Sequence, residues 1–474
     1  MTLPHENETP LVTRRQLLRS GALGFGSLAL AGLAADQLAA APAAASNTQT
    51  GPLVPKTPHF LPRAKRVIFL YMWGGPSQMD LFDPKPDLNA MHGKEFKFDG
   101  AKRIYKGSPV RFAQHGESGL NFSHLLPNLA TQADEMCMMH ALHTDSQSHT
   151  NASLILLTGA TNFVRPSVGS WVVYGLGTEN QSLPGFVTIK PQRSLGSRMY
   201  SNVFLPAIYQ GTPVGHDKTP TAEARIRNLK NARASAAEQR EQLRLIRQLN
   251  REFGQQTAAD RQAEGMIQSL ELAFRMQTSA NELFDLSDEP AHMLKMYGAD
   301  AEPTKDFGQQ CILARRMAEA GVRFIQLNHS GWDHHAKIDS GLPKRCSQVD
   351  VPITALLKDL KARGLLDDTL VLFGSEFGRT AFADGELGPN VGRAHNRHAF
   401  TVWMAGGGVK GGMNYGTTDE FGAKGVENRV HVHDLHATLM HLLGLNHEKV
   451  TYPYAGRDFR LTDVYGNVVK DILA

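Results

Sequence analysis

Arg66-Val67-Ile68-Phe69-Leu70-Tyr71-Met72, halted by Gly74-Gly75-Pro76, is the stretch whose reading sets the fold. Its apolar residues run almost without a break, the pattern of a strand buried on both faces of a parallel sheet rather than one half-exposed to water. Downstream, helix-length segments alternate with similar short runs. A helix is expected from about Phe307 to Ala320, closed by Gly321, then a strand from Val322 to Leu327; a helix from about Val351 to Arg363, closed by Gly364, then a strand from Thr369 to Phe373. A strand from Phe400 to Ala405 and a last helix from about Asp434 to Leu443 complete the series. Such alternation predicts an open, mostly parallel sheet with helices on both sides, a three-layer α/β/α architecture.

The 474 residues suffice for two or three domain-sized units. Apolar residues at 41% and charged residues at 20% are globular values, which exclude a disordered or coiled-coil chain. A net charge of +4 with no basic stripe argues against a nucleic-acid partner. At the amino end, Thr13-Arg14-Arg15-Gln16-Leu17-Leu18 precedes the weakly apolar stretch Gly21 to Ala35 and the small residues Ala41-Pro42-Ala43-Ala44-Ala45. Residues 1–45 thus read as a twin-arginine (Tat) signal, which implies the Tat export machinery as a partner and a periplasmic or extracellular destination. The apolar run is about 15 residues, short of the roughly 20 needed to span a bilayer, so no transmembrane span is expected in the mature chain. Residues 46–62 read as a linker. Residues 63–220 and 298–474 form the two parts of the main domain, around a helical insert at 221–297. The insert places Leu243, Ile246 and Leu249, then Leu270, Ala273 and Phe274, at helical spacing, with an interruption near Gly254. Cys137, Cys311 and Cys346 are too few and too scattered for a disulfide framework.

Ligands of such sheets bind beyond the carboxyl ends of the strands, so the polar residues there carry the chemistry. Of 20 histidines, ten lie between His329 and His447. Asp333, His334 and His335 follow the expected strand Val322 to Leu327; Glu376 and Arg379 follow Thr369 to Phe373; His395 precedes Phe400. Imidazole with carboxylate suits a divalent ion such as Zn²⁺ or Mn²⁺ in preference to Ca²⁺. Any one of these histidines taken alone reads first as a hydrogen-bonded loop residue, and it is Asp333, His334, His335 and His395 together at neighbouring strand ends that point to an ion. Ser148 and Thr150 stand near an expected helix start, where backbone N–H groups favour negative charge, and are also ordinary capping residues. Arg379 offers a fork of donors to an anion or forms a surface ion pair. Gly406 to Gly411 matches G-x-G-x-x-G without the helix that motif requires, and no G-x-S-x-G elbow is present.

From Leu126-Pro127-Asn128-Leu129 through Leu156-Leu157-Thr158-Gly159 the chain resembles the sulfatase stretch that ends in L-L-T-G. Trp73-Gly74-Gly75-Pro76-Ser77 with Asp80 and Asp83-Pro84-Lys85, Gly331-Trp332-Asp333, Gly374 to Arg379 and Gly456-Arg457, with the export signal, resemble more closely a Tat-exported, sulfatase-like family of unknown function. The resemblance covers essentially the whole mature chain. It implies the alkaline-phosphatase-like fold, in which metals and a helix-borne nucleophile hydrolyse phosphate or sulfate esters. By that resemblance His149 occupies the place of the cysteine that becomes formylglycine, so the aldehyde cannot form there, and Ser148 and Thr150 flank it. Gly74-Gly75 stands in place of paired metal-binding aspartates, for which Asp80 is a substitute, and Glu376-Phe377 replaces a D-N or D-H pair. Asp333 and His335 resemble the D-x-x-x-H element with altered spacing, and His395 the late histidine of the phosphodiesterase branch.

The expectation is therefore an exported, metal-dependent hydrolase of sulfate or phosphate esters, its substrate an anionic ester or sulfated glycan. Asp333, His335 and His395 hold a divalent ion, Glu376 and Asp80 serve a second, and Ser148, His149, Thr150 and Arg379 are the catalytic candidates. The competing expectation is a non-catalytic envelope protein that keeps the fold to bind a glycan or a partner, with the helical insert as its interaction surface.

Overall fold

The apolar run forms strand β1 (Arg66–Trp73), in which residues 67–72 are all at most 4% exposed. The structure, a computed structural model, describes residues 52–474 apart from 99, 228, 230–232 and 257–260. The expected export signal lies outside the described residues. β1 is flanked on both sides by parallel partners from the far half of the chain, β5 (Phe324–Ser330) and β6 (Thr369–Gly374). Burial of each large apolar side chain on such a strand stabilises by roughly 1.5–3 kcal/mol, which suits the unbroken run of β1, whereas β5 also buries Gln326 and Asn328, hydrogen-bonded to each other at 2.9 Å.

The main sheet continues outward from β5 through β3 (Phe186–Ile189) to β4 (Thr212–Val214), both parallel. On the other side β6 pairs with β9 (Phe400–Ala405), which pairs with β2 (Met136–His143); β10 (Met413–Tyr415) and β11 (Val430–His431) lie on the outer edge of β2. Of these strands only β9 runs antiparallel to its neighbours. That reversal matters for the site, because it sets the amino end of β9 beside the carboxyl ends of β6 and β2.

Helices α1 (His149–Thr158), α2 (Val168–Leu176) and α7 (Val432–Leu442) bring Leu156, Val168 and Leu435 against Phe69, Phe324 and Leu372 on one face. Helices α5 (Lys305–Glu319) and α6 (Ile338–Ala362) pack together and cover the other, giving the expected three layers. The helix expected from Val351 starts earlier, at Ile338, and carries Pro343 and Pro352 internally. Proline ordinarily favours the first turn, which is why Pro352 reads as a beginning. The insert contains α3 (Ala236–Gln256) and α4 (Arg261–Phe284), with the interruption expected near Gly254 falling after Gln256. The three cysteines are buried and free. No described helix is long and apolar enough to cross a membrane.

Candidate metal centre

α1 begins where the backbone of Ser148 is extended (φ −87°, ψ 129°) and ends at Gly159, whose φ of 71° is left-handed. Its first residue, His149, therefore sits at the carboxyl edge of the sheet, just past β2. Asp333 and His335 come from the loop between β5 and α6. His395 comes from β8 (Arg393–Asn396), which forms a hairpin with β7 (Gly378–Ala383) and feeds the reversed strand β9. One ligand atom from each of His149, Asp333, His335 and His395 lies within 4.8 Å of the others.

Each imidazole is pinned through its Nδ1. His149 Nδ1 lies 2.7 Å from Glu376 Oε1, His395 Nδ1 lies 2.7 Å from the Gln147 carbonyl oxygen, and His335 Nδ1 meets Asp384 Oδ2. All three therefore present Nε2 to Asp333: His335 at 3.0 Å and His395 at 3.2 Å from Oδ1, His149 at 3.1 Å from Oδ2. This anchoring of the outer nitrogen by a carboxylate or carbonyl is how metal-binding histidines are oriented.

Two features show that the donor set fits a cation. The Gln147 carbonyl only accepts, so His395 Nδ1 is the donor and its Nε2 in the neutral ring is a lone pair. His335, donating to Asp384, is in the same state. Their Nε2 atoms nevertheless face each other at 2.8 Å, an arrangement that needs a positive charge shared between them. His149 Nε2 is buried and misaligned for a hydrogen bond despite its closeness to Asp333. A buried polar atom without a partner is costly, and ligation removes the cost. Three imidazoles and one carboxylate match Zn²⁺ or Mn²⁺ and not Ca²⁺, which takes oxygen ligands.

The electrostatics agree. Burial would make His149 more acidic, but its contacts with Asp333 and Glu376 outweigh this and raise its pKa to about 9. Burial works against the Asp333 carboxylate, yet His149, His395 and Arg379 hold it far below the usual range.

The remaining predicted residues go elsewhere. Glu376 is fully buried behind His149 and accepts hydrogen bonds from Gly74 N–H (2.9 Å), Ser375 Oγ (2.8 Å) and Tyr71 Oη (3.2 Å). It orients a ligand rather than joining the four-residue group. Asp80, proposed as a second-ion ligand, is instead paired with Arg393 at 2.8 Å, both side chains buried. An isolated buried charge is so unfavourable that each satisfies the other. Arg379 is neither a surface residue nor a free fork. It is fully buried and donates to the carbonyls of Gly75 (2.9 Å), Arg393 (3.0 Å) and Gly74 and to Asp333 Oδ1 (2.6 Å). Ser148 is exposed at the N-cap and makes no side-chain cap; Thr150 is half-buried, and neither hydroxyl bonds to the cluster among the described residues. His334 turns towards Gly341 and stays outside the group, its pKa depressed by burial to about 4. Sequence reading missed Asp384 and the Gln147 carbonyl. The first is signalled only by hairpin pairing, the second by no side chain at all.

Beside the cluster opens a cleft of about 580 Å³ lined in part by His335, His395, Ser146 and Thr380. The molecule thus belongs to the class of three-layer α/β/α proteins that gather a histidine–carboxylate group at the carboxyl edge of the sheet. More particularly, the chain belongs to the family described as "Protein of unknown function (DUF1501)", which matches residues 64–473. No curated protein matches. Among solved structures, the chain is similar to a sulfatase from a Pseudoalteromonas species, with 13% identity, TM-score 0.35, and 81% of this chain and 69% of that one covered. It is also similar to a protein in the alkaline phosphatase superfamily from Vibrio parahaemolyticus, with 11% identity, TM-score 0.34, and 89% and 74% covered. The alkaline phosphatase of the Antarctic bacterium TAB5 is 12% identical, with TM-score 0.31 and 73% and 92% covered. At such values the likenesses carry no argument on activity, which rests on the geometry above.

Proposed function

We propose that this protein is an exported, metal-dependent hydrolase of sulfate or phosphate esters. The observation that carries the reading is the convergence of three Nδ1-anchored imidazoles on Asp333, with the Nε2 atoms of His335 and His395 only 2.8 Å apart. His149, Asp333, His335 and His395 hold the ion. A divalent cation in that position supplies Lewis-acid chemistry, polarising an ester oxygen and making water more acidic.

The chain's own residues do the rest. Glu376, Asp384 and the Gln147 carbonyl fix the rings so that all three lone pairs point inward. Arg379 holds Asp333 from its buried side and offsets its charge. The backbone N–H groups at the start of α1 face the same edge of the sheet and favour the negative charge of a bound ester. His149 thereby exchanges the nucleophile's position in the sulfatase pattern for a ligand's. Export through the twin arginines Arg14 and Arg15 is part of the same reading, since that route carries proteins that have already folded.

The test is elemental analysis of purified protein, native and after chelation and reconstitution, together with a screen of sulfate and phosphate esters. The expected result is about one equivalent of zinc or manganese per chain, set by the four-ligand site, with turnover that chelation abolishes. Less than about a tenth of an equivalent in both preparations overturns the reading. Metal without turnover of any ester, combined with glycan binding, replaces it with the envelope-binding alternative.

A further inference from the structure

The cleft beside the cluster holds two arginines that the metal centre does not use. Arg103 belongs to the hairpin formed by Glu95–Phe98 and Ala101–Ile104, and its guanidinium lies 5.2 Å from the ring centre of Phe382. Its Nε is buried without a hydrogen-bond partner, and among the described residues no carboxylate pairs with it. Arg397 donates to the Asp145 carbonyl at 2.9 Å and likewise has no carboxylate partner among the described residues. Both line the cleft. Its two acids bond to histidines, Asp384 to His335 and Asp145 to His431 at 3.2 Å, and neither pairs directly with these guanidinium groups.

Arg379 does not reach the cleft, because it is fully buried and four of its five N–H donors are taken by three carbonyls and Asp333. A buried, unpaired guanidinium nitrogen is costly to keep, and an oxyanion is its natural complement. We propose that Arg103 and Arg397 form a subsite for a second anionic group, so that the substrate class is esters bearing at least two negative groups, such as a multiply sulfated saccharide. Phe98 and Phe382, whose ring centres lie 5.2 Å apart on the same wall, supply an apolar surface for the carbon skeleton. The inference rests on the hydrolase reading for its account of the first anion, which meets the cation site.

Calorimetric titration of the mature protein, in buffer supplied with zinc, with a disulfated and a monosulfated disaccharide of one backbone tests it. Wild type is expected to bind the disulfated sugar about tenfold or more tighter, the gain of a charge-assisted contact. Arg103→Gln is expected to bring the two affinities within about twofold, and Arg103→Lys to restore part of the gap because the charge returns. A ratio unchanged in Arg103→Gln overturns the proposal. Melting curves check folding, and if Arg103→Gln unfolds, the same ratio is read in Arg103→Lys and Arg397→Gln, where no change in either overturns it. Absence of metal and turnover with an Arg103-dependent ratio sinks the hydrolase reading alone. Turnover with an Arg103-independent ratio sinks the subsite alone.

Discussion

Three imidazoles whose outer nitrogens are committed leave one chemistry open at their inner nitrogens, and the individual residues can be tested on that basis. Glu376 touches His149 Nδ1 and is not itself one of the four clustered residues, so Glu376→Gln is expected to weaken zinc affinity about 10–100-fold without removing the site, read by competition with a chromophoric chelator. Asp333→Ala, which removes the one carboxylate, is expected to abolish stoichiometric binding. His149 sets the pH dependence. Its pKa, raised to about 9, means that the metal-free ring is protonated at neutral pH and must lose that proton to ligate. Zinc affinity is therefore expected to rise by up to about tenfold per pH unit between pH 7 and 9 and then level, with proton release shown by buffer-dependent binding heats. A flat profile over that range contradicts the assignment of His149 as a ligand. At this scale Asp333, His335 and His395 were legible because they follow or precede apolar runs that had to be strands. Asp80 and Arg379 were not, because a residue's type does not say which opposite charge lies beside it once both are buried.

Among the elements, the β7–β8 hairpin does most to place the site. It carries His395, it holds Arg379 opposite His395 in register, and it is tied down by the buried pair of Asp80 and Arg393. Asp80→Asn leaves a buried guanidinium uncompensated and is expected to cost about 3–5 kcal/mol, measured by urea denaturation at pH 7. Burial opposes the Asp80 carboxylate, but Arg393 and two serines hold its pKa below the ordinary value. A carboxylate with a depressed folded pKa contributes stability that is complete above the unfolded value and is lost as pH falls through the folded one. The gap between wild type and Asp80→Asn should hence shrink progressively below about pH 5. The turn after β1 is the second positioning element. Gly74 has φ +120°, and a Cβ there would lie 2.5 Å from the Asp333 nitrogen, so the glycine permits the two loops to touch. Gly74→Ala is expected to displace Asp333 and to lower zinc affinity more than melting temperature. A glycine pair that looked like lost aspartates is thus a requirement of backbone approach. β2 escaped sequence reading for a different reason. Met136-Cys137-Met138-Met139-His140-Ala141-Leu142-His143 lacks β-branched residues, and burial between β9 and the edge strands imposes its extended state.

At the level of the whole molecule, the cluster joins segments from both halves of the chain, so a bound ion acts as a cross-link on the native state alone. Chelation is expected to lower the melting temperature, and zinc at about 100 times its dissociation constant to restore about 2.7 kcal/mol, followed by scanning calorimetry at several zinc concentrations. A melting temperature independent of zinc contradicts binding at the cluster. The layered architecture was readable from the alternation of apolar runs and helices. The direction of β9 was not, since strand polarity within a sheet leaves no trace in local composition, and it is this direction that brings His395 home. β1 carries a further consequence. It precedes both of its sheet neighbours by more than 240 residues. An apolar ribbon must wait, unpaired and prone to sticking, while those intervening residues are made. Exposed apolar stretches of this kind are prone to aggregation until their partners are made, and a place for the ion arises only once His395, the last of the four clustered residues, has been added.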